Sequence, residues 1–160
     1  MSTTIWQKEL LRSTRSVQEL TAKLDVELPF PIHNHFPIKV TPLYLSLISK
    51  QNPFDPLLLQ VISPNITQSN DLTFSESPLS EKDFTPIPGL IHKYKNRLLL
   101  LLTSHCMIHC QYCFRQHFPY LENQINPENW EAILNYIQER PHISEIILSG
   151  GDPLLAKNNY

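Results

Sequence analysis

The sequence predicts an α/β fold, a helical N-terminal region followed by a βαβ unit, and three stretches predict it. Residues 98–102 are an unbroken apolar run closed by Thr103, too short to cross a bilayer and read as a buried strand. Asn126-Pro127 opens a segment with Trp130, Ile133, Leu134 and Ile137 at helical spacing, stopped at Arg140-Pro141. Residues 143–148 form a second apolar strand, which runs into Ser149-Gly150-Gly151-Asp152-Pro153. Strand, long loop, helix, strand and loop make one βαβ unit, so the strands are expected to be parallel and the crossover right-handed.

The preceding region, residues 1–88, reads as helical and proline-rich, and residues 89–160 as the second domain. Ile5, Trp6, Leu10 and Leu11 have helical spacing within residues 4–13. Ser16 and Glu19 have the spacing of a capping box before a second helix carrying Val17, Leu20 and Leu24. Both helices are expected to be packing elements. Residues 28–40 are broken by proline and hold His33 and His35, read as surface or packing residues. Thr41-Pro42 starts a short helix with Leu43, Tyr44, Leu47 and Ile48, and Asp55-Pro56 repeats that device before residues 57–62. Residues 63–88, rich in Ser, Pro, Asn and Asp, read as an extended connector. From Gly89 the character changes. Residues 92–97 are basic and aromatic and read as a solvated entry to the first strand.

Composition limits the partners. The chain has 160 residues and a net charge of −2 without a basic block, so no broad nucleic-acid footprint is expected. Its first residues lack a basic start followed by an apolar core, so no signal peptide is expected. All three cysteines are clustered, which suits a reducing, cytoplasmic setting.

That cluster is Cys106-Met-Ile-His-Cys110-Gln-Tyr-Cys113, at the end of the first predicted strand. Three thiolates on one loop can hold three irons of a cubane cluster and leave the fourth open to a ligand. A structural zinc site built from the three cysteines with His105 or His109 is the alternative, although no second Cys-x2-Cys group is present. A chain with only three glycines that sets two side by side, Gly150-Gly151, needs backbone freedom or close approach there. Adjacent glycines expose amides and carbonyls, and Asp152 adds an acceptor, so an amine or a ribose hydroxyl would suit this turn. If the two strands are parallel, both loops leave the same end of the sheet, the end where α/β barrels do their chemistry.

With both loops placed, the chain resembles a known family. Cys-x3-Cys-x-aromatic-Cys, with Tyr112 as the aromatic, resembles the signature of the radical S-adenosylmethionine enzymes. Residues 113–120, Cys-Phe-Arg-Gln-His-Phe-Pro-Tyr, and residues 149–154, Ser-Gly-Gly-Asp-Pro-Leu, are similar to the lysine 2,3-aminomutases. They resemble in particular the bacterial branch that makes (R)-β-lysine for modifying elongation factor P. The resemblance implies a partial (β/α) radical-SAM barrel, incomplete in this chain. It also implies conversion of L-lysine to (R)-β-lysine by radical chemistry, with a 4Fe-4S cluster, S-adenosylmethionine and pyridoxal phosphate as cofactors. Carried over by position, Cys106, Cys110 and Cys113 are the cluster ligands, and Tyr112 lies near the adenine. Gly150, Gly151 and Asp152 lie near S-adenosylmethionine, and Arg115 meets the substrate carboxylate. Lys93, Tyr94 and Arg97 lie on the pyridoxal phosphate side. Gln111 and Gln116 depart from the arginines usual in relatives. The lysine that binds pyridoxal phosphate is expected beyond residue 160, so a catalytically incompetent N-terminal remnant is the alternative reading.

Overall fold

The computed structural model describes residues 4–34, 36–64 and 77–156. His35 and residues 65–76 of the expected connector lie outside the described residues. Five α-helices, two 3-10 turns and one three-stranded sheet form among the described residues, a mixed α/β architecture. None of these helices is long and apolar enough to cross a membrane. The chain divides into two compact units: residues 1–74 with 107–116, and residues 75–106 with 117–160.

The first unit contains α1 (Ile5–Leu11), α2 (Val17–Leu24), α3 (Pro42–Leu47) and α4 (Leu58–Val61). Its core gathers Leu20, Leu24, Val40, Leu58, Val61 and Ile62, all almost completely buried. Ser16 caps α2 by accepting the Glu19 amide at 3.2 Å, whereas the Glu19 carboxylate bonds the amide of Arg15. Only half of the expected capping box therefore forms. Thr41 caps α3, with Pro42 at its first position, as the sequence predicts. The expectation that α1 is a packing helix is corrected, because it buries none of its residues. Polar contacts hold it instead: Gln7 closes a capping box with Thr4, and a Glu9 carboxylate oxygen accepts the Leu43 amide at 3.0 Å.

The second unit carries the βαβ unit. β2 (Arg97–Thr103) pairs in parallel with β3 (Glu145–Gly150), and α5 (Pro127–Gln138) connects them. Asn126 and Asn129 form a reciprocal cap at the start of α5, with Pro127 in the first turn. Ile133 is fully buried against Leu98 and Leu100, and Trp130 and Ile137 pack beside it. The expected entry segment is in fact a strand. β1 (Leu90–Tyr94) pairs antiparallel with β2 through a turn at Lys95-Asn96, so the sheet order is β1-β2-β3. His92 on β1 is tied to α5 by a 2.7 Å hydrogen bond between its Nδ1 and the Tyr136 hydroxyl.

Candidate metal centre

The parallel pairing of β2 and β3 brings the ends of both strands together within the second unit. The Gly151 amide donates to the Thr103 carbonyl at 2.6 Å, and the Asp152 amide donates to the His105 carbonyl at 2.7 Å. The glycine turn is thus sewn onto the residues that lead directly into Cys106. Gly150 has φ +120°, which favours glycine, and a Cβ there would collide with the Thr103 carbonyl oxygen. At Gly151 a Cβ would collide with the backbone of His105. The glycines therefore serve the approach of two backbones. With the Gly151 and Asp152 amides spent on carbonyls, the turn suits an ammonium, which needs acceptors, better than an anion. One Asp152 carboxylate oxygen accepts the Leu154 amide at 3.0 Å and caps the 3-10 turn Pro153–Leu155.

Beyond Cys106 the chain enters the first unit and stays there through Gln116. Ile108 packs against that unit's core. The His109 amide donates to the Lys39 carbonyl at 3.0 Å, and the His109 ring bonds the Pro37 carbonyl through Nδ1 at 2.9 Å and lies against Phe36. The Gln111 amide donates to the Gln60 carbonyl at 2.9 Å, and its side-chain Nε2 donates to the Phe36 carbonyl at 3.1 Å. The Cys113 amide turns back onto the Cys110 carbonyl at 3.1 Å. Nothing in the sequence marked Gln60 or the carbonyls of Phe36, Pro37 and Lys39 as holders of this loop. Backbone acceptors carry no side-chain signature.

Electrostatics ties Cys110 to two tyrosines of the same unit. The charge of the Cys110 thiolate, together with a hydrogen bond to it, pushes the Tyr112 phenol above its ordinary value. Burial first, and Cys110 second, push the Tyr44 phenol up as well. Both phenols thus stay protonated beside the sulfur.

None of the three cysteines is in a disulfide, and all are partly buried. Residues 96–160 match a family described as a 4Fe-4S single cluster domain. Over 160 residues the chain is 39% identical to an L-lysine 2,3-aminomutase of Buchnera aphidicola, covering 96% of this chain and 47% of that protein. It is 42% identical to the Haemophilus influenzae L-lysine 2,3-aminomutase, across 84% of this chain and 40% of the relative. The Escherichia coli L-lysine 2,3-aminomutase is 45% identical, across 78% of this chain and 36% of its own length. The chain is related to the lysine 2,3-aminomutases. It spans less than half the length of these three relatives.

The residues can be tested for fit to the cluster that the aminomutase relationship implies. Among the described residues no three His, Cys, Asp or Glu side chains are gathered tightly enough to hold a metal ion. Three thiolates repel one another unless a cation neutralises them, and metal sites of this kind close as the metal binds. The donor set fits: three sulfurs outside any disulfide, on one eight-residue stretch that forms no helix or strand. His105 and His109 each direct Nδ1 to a protein oxygen, Thr103 Oγ1 and the Pro37 carbonyl respectively.

The other residues that the aminomutase resemblance singled out belong to both units. Arg115 belongs to the first unit, is buried, and sets its guanidinium 4.8 Å from the centre of the Phe114 ring. Lys93 donates to the Leu79 carbonyl at 2.9 Å and lies over the Phe84 ring. Arg97 forms an ion pair with Glu145 at 2.9 Å and faces the Tyr94 ring. Tyr94 and Arg97 sit at the hairpin end of β2, the opposite end from Thr103. At strand rise that separation is about 20 Å, so this group does not adjoin the glycine turn.

Proposed function

We propose that this chain is the part of a radical S-adenosylmethionine aminomutase that holds a 4Fe-4S cluster and S-adenosylmethionine. The whole protein would convert L-lysine to (R)-β-lysine, which is destined for the modification of elongation factor P in the cytoplasm. The observation that carries this reading is the stitching of the Gly150-Gly151-Asp152 turn onto Thr103 and His105, directly before the first of three clustered cysteines. The identities with the L-lysine 2,3-aminomutases support the reaction class.

In such an enzyme a reduced cluster supplies the electron that cleaves S-adenosylmethionine, and pyridoxal phosphate supplies the stabilisation needed for amino-group migration. The chain's own residues bind and orient. Cys106, Cys110 and Cys113 would hold three irons as thiolates, leaving the fourth without a protein ligand. Tyr112, whose ring is exposed, offers a face for the adenine. The glycine turn offers acceptors to the amino group of S-adenosylmethionine. Arg115 would receive the substrate carboxylate, since a guanidinium suits bidentate pairing.

The test is anaerobic reconstitution of this chain with iron and sulfide, followed by metal and sulfide analysis. About four irons and four sulfides per chain are expected, together with a changed electron paramagnetic resonance spectrum of the reduced cluster when S-adenosylmethionine is added. Zinc bound without sulfide refutes the reading. The lysine claim is tested separately, by assaying β-lysine formation in a protein of the relatives' full length.

A further inference from the structure

We propose that Gln60 is a positioning residue for Tyr112, fixing the aromatic ring that covers the adenine of S-adenosylmethionine; this rests on the cluster reading above. Gln60 lies in α4 and reaches the cysteine segment twice. Its carbonyl accepts the Gln111 amide at 2.9 Å, and its side-chain Oε1 accepts the Tyr112 hydroxyl at 3.4 Å. The same Oε1 lies 3.2 Å from the Tyr44 hydroxyl, which is also 3.1 Å from the Leu57 carbonyl. An amide oxygen has two lone pairs, so Gln60 can serve both phenols at once.

Tyr112 needs such a tether. The residue is 69% exposed, so packing does not choose its rotamer, and the Gln60 oxygen competes with the Cys110 sulfur for its one hydroxyl proton. A ring free to sample rotamers must be ordered when a base stacks on it, and that ordering weakens binding. A ring already held by its hydroxyl avoids the cost. The backbone bond from Gln111 keeps the loop against α4 whatever side chain stands at position 60. Gln60 therefore acts on the ring and not on the cysteine backbone.

Gln60→Met keeps side-chain length and helix propensity but removes the polar tip, and Tyr112→Phe removes the other partner. In the reconstituted chain each variant is expected to weaken S-adenosylmethionine binding about fivefold. The double variant should bind no worse than Tyr112→Phe alone, because that variant already lacks the bond that Gln60→Met removes. Iron content should not change. Binding of methionine, which has the amine and carboxylate but no adenine, should not change either. In the metal-free chain, carbon-labelled tyrosine should show rotamer-averaged couplings at Tyr112 in Gln60→Met and a single rotamer in the parent. Unchanged S-adenosylmethionine affinity in Gln60→Met, additive losses in the double variant, or equal losses for methionine would each overturn the proposal. If the parent chain takes up no iron, the cluster reading fails. The tether is then decided by the Tyr112 couplings alone: a single rotamer in Gln60→Met overturns it, and averaging supports it.

Discussion

Asp55 accepts three backbone amides, those of Leu57 and Leu58 on one carboxylate oxygen and that of Ser49 on the other. Burial opposes its charge, but the bonds from Ser49, Leu58 and Leu57 outweigh burial and hold the carboxyl below its usual value. A folded-state pKa below the unfolded one stabilises the fold above the ordinary carboxylate value of about 3.9, and that contribution is lost as acid protonates the group. Asp55→Ala is expected to cost about 1–3 kcal/mol at neutral pH, from amides left unsatisfied. Urea unfolding should show the gap from the parent narrowing below about pH 4. An equal gap at both pH values would assign the loss to packing instead. At Gly151 the outcome is steric. Gly151→Ala must displace the His105 backbone, at about 1–3 kcal/mol of strain, and should lower iron uptake through the neighbouring Cys106. Both glycines were legible in the sequence as a place of close approach. What approaches them, the main chain of Thr103 and His105, was not, because backbone contacts leave no residue-type trace.

The elements divide by whether a local signal marks their ends. α5 was legible from Asn126-Pro127 and an apolar stripe, and its cap forms as those residues require. Its stripe is narrower than the sequence suggested, since Ile133 is fully buried while Leu134 is 42% exposed. Ile133→Ala should therefore cost about 2–5 kcal/mol, whereas Leu134→Ala should stay within about 0.5 kcal/mol. Thermal unfolding of the two variants separates them, and comparable losses would contradict this orientation of α5. β1 escaped sequence reading for a physical reason. Its turn to β2 is Lys95-Asn96, without glycine, and neither residue has a positive φ. The usual Asn-Gly type of hairpin signal is thus absent, and the ladder absorbs the mismatch as a register irregularity between Ile91 and Tyr94. α1 misled in the other direction, because its apolar spacing exists without a buried face.

At the scale of the whole molecule, the sheet is protected unevenly. β2 lies between two partners, and its Leu98, Leu100 and Leu101 are buried. β3 has a partner on one side only among the described residues, and Ile146, Ile147 and Leu148 are 45%, 37% and 55% exposed. An apolar strand with an open edge is a template for pairing with another chain, which natural sheets avoid by covering or charging the edge. Hydrogen exchange reports this directly. Amides along β2 should be protected on both faces of the ladder, while β3 should alternate between slow positions bonded to β2 and fast positions directed outward. Uniform protection along β3 in dilute solution would mean that its outer edge is covered, and concentration-dependent protection would identify another copy of the chain as the cover. Leu148→Lys, which places a charge on that exposed strand, should raise solubility while leaving the exchange of β2 unchanged. If β2 loses its protection in this variant, the β3 strand supports the sheet more strongly than its exposure implies.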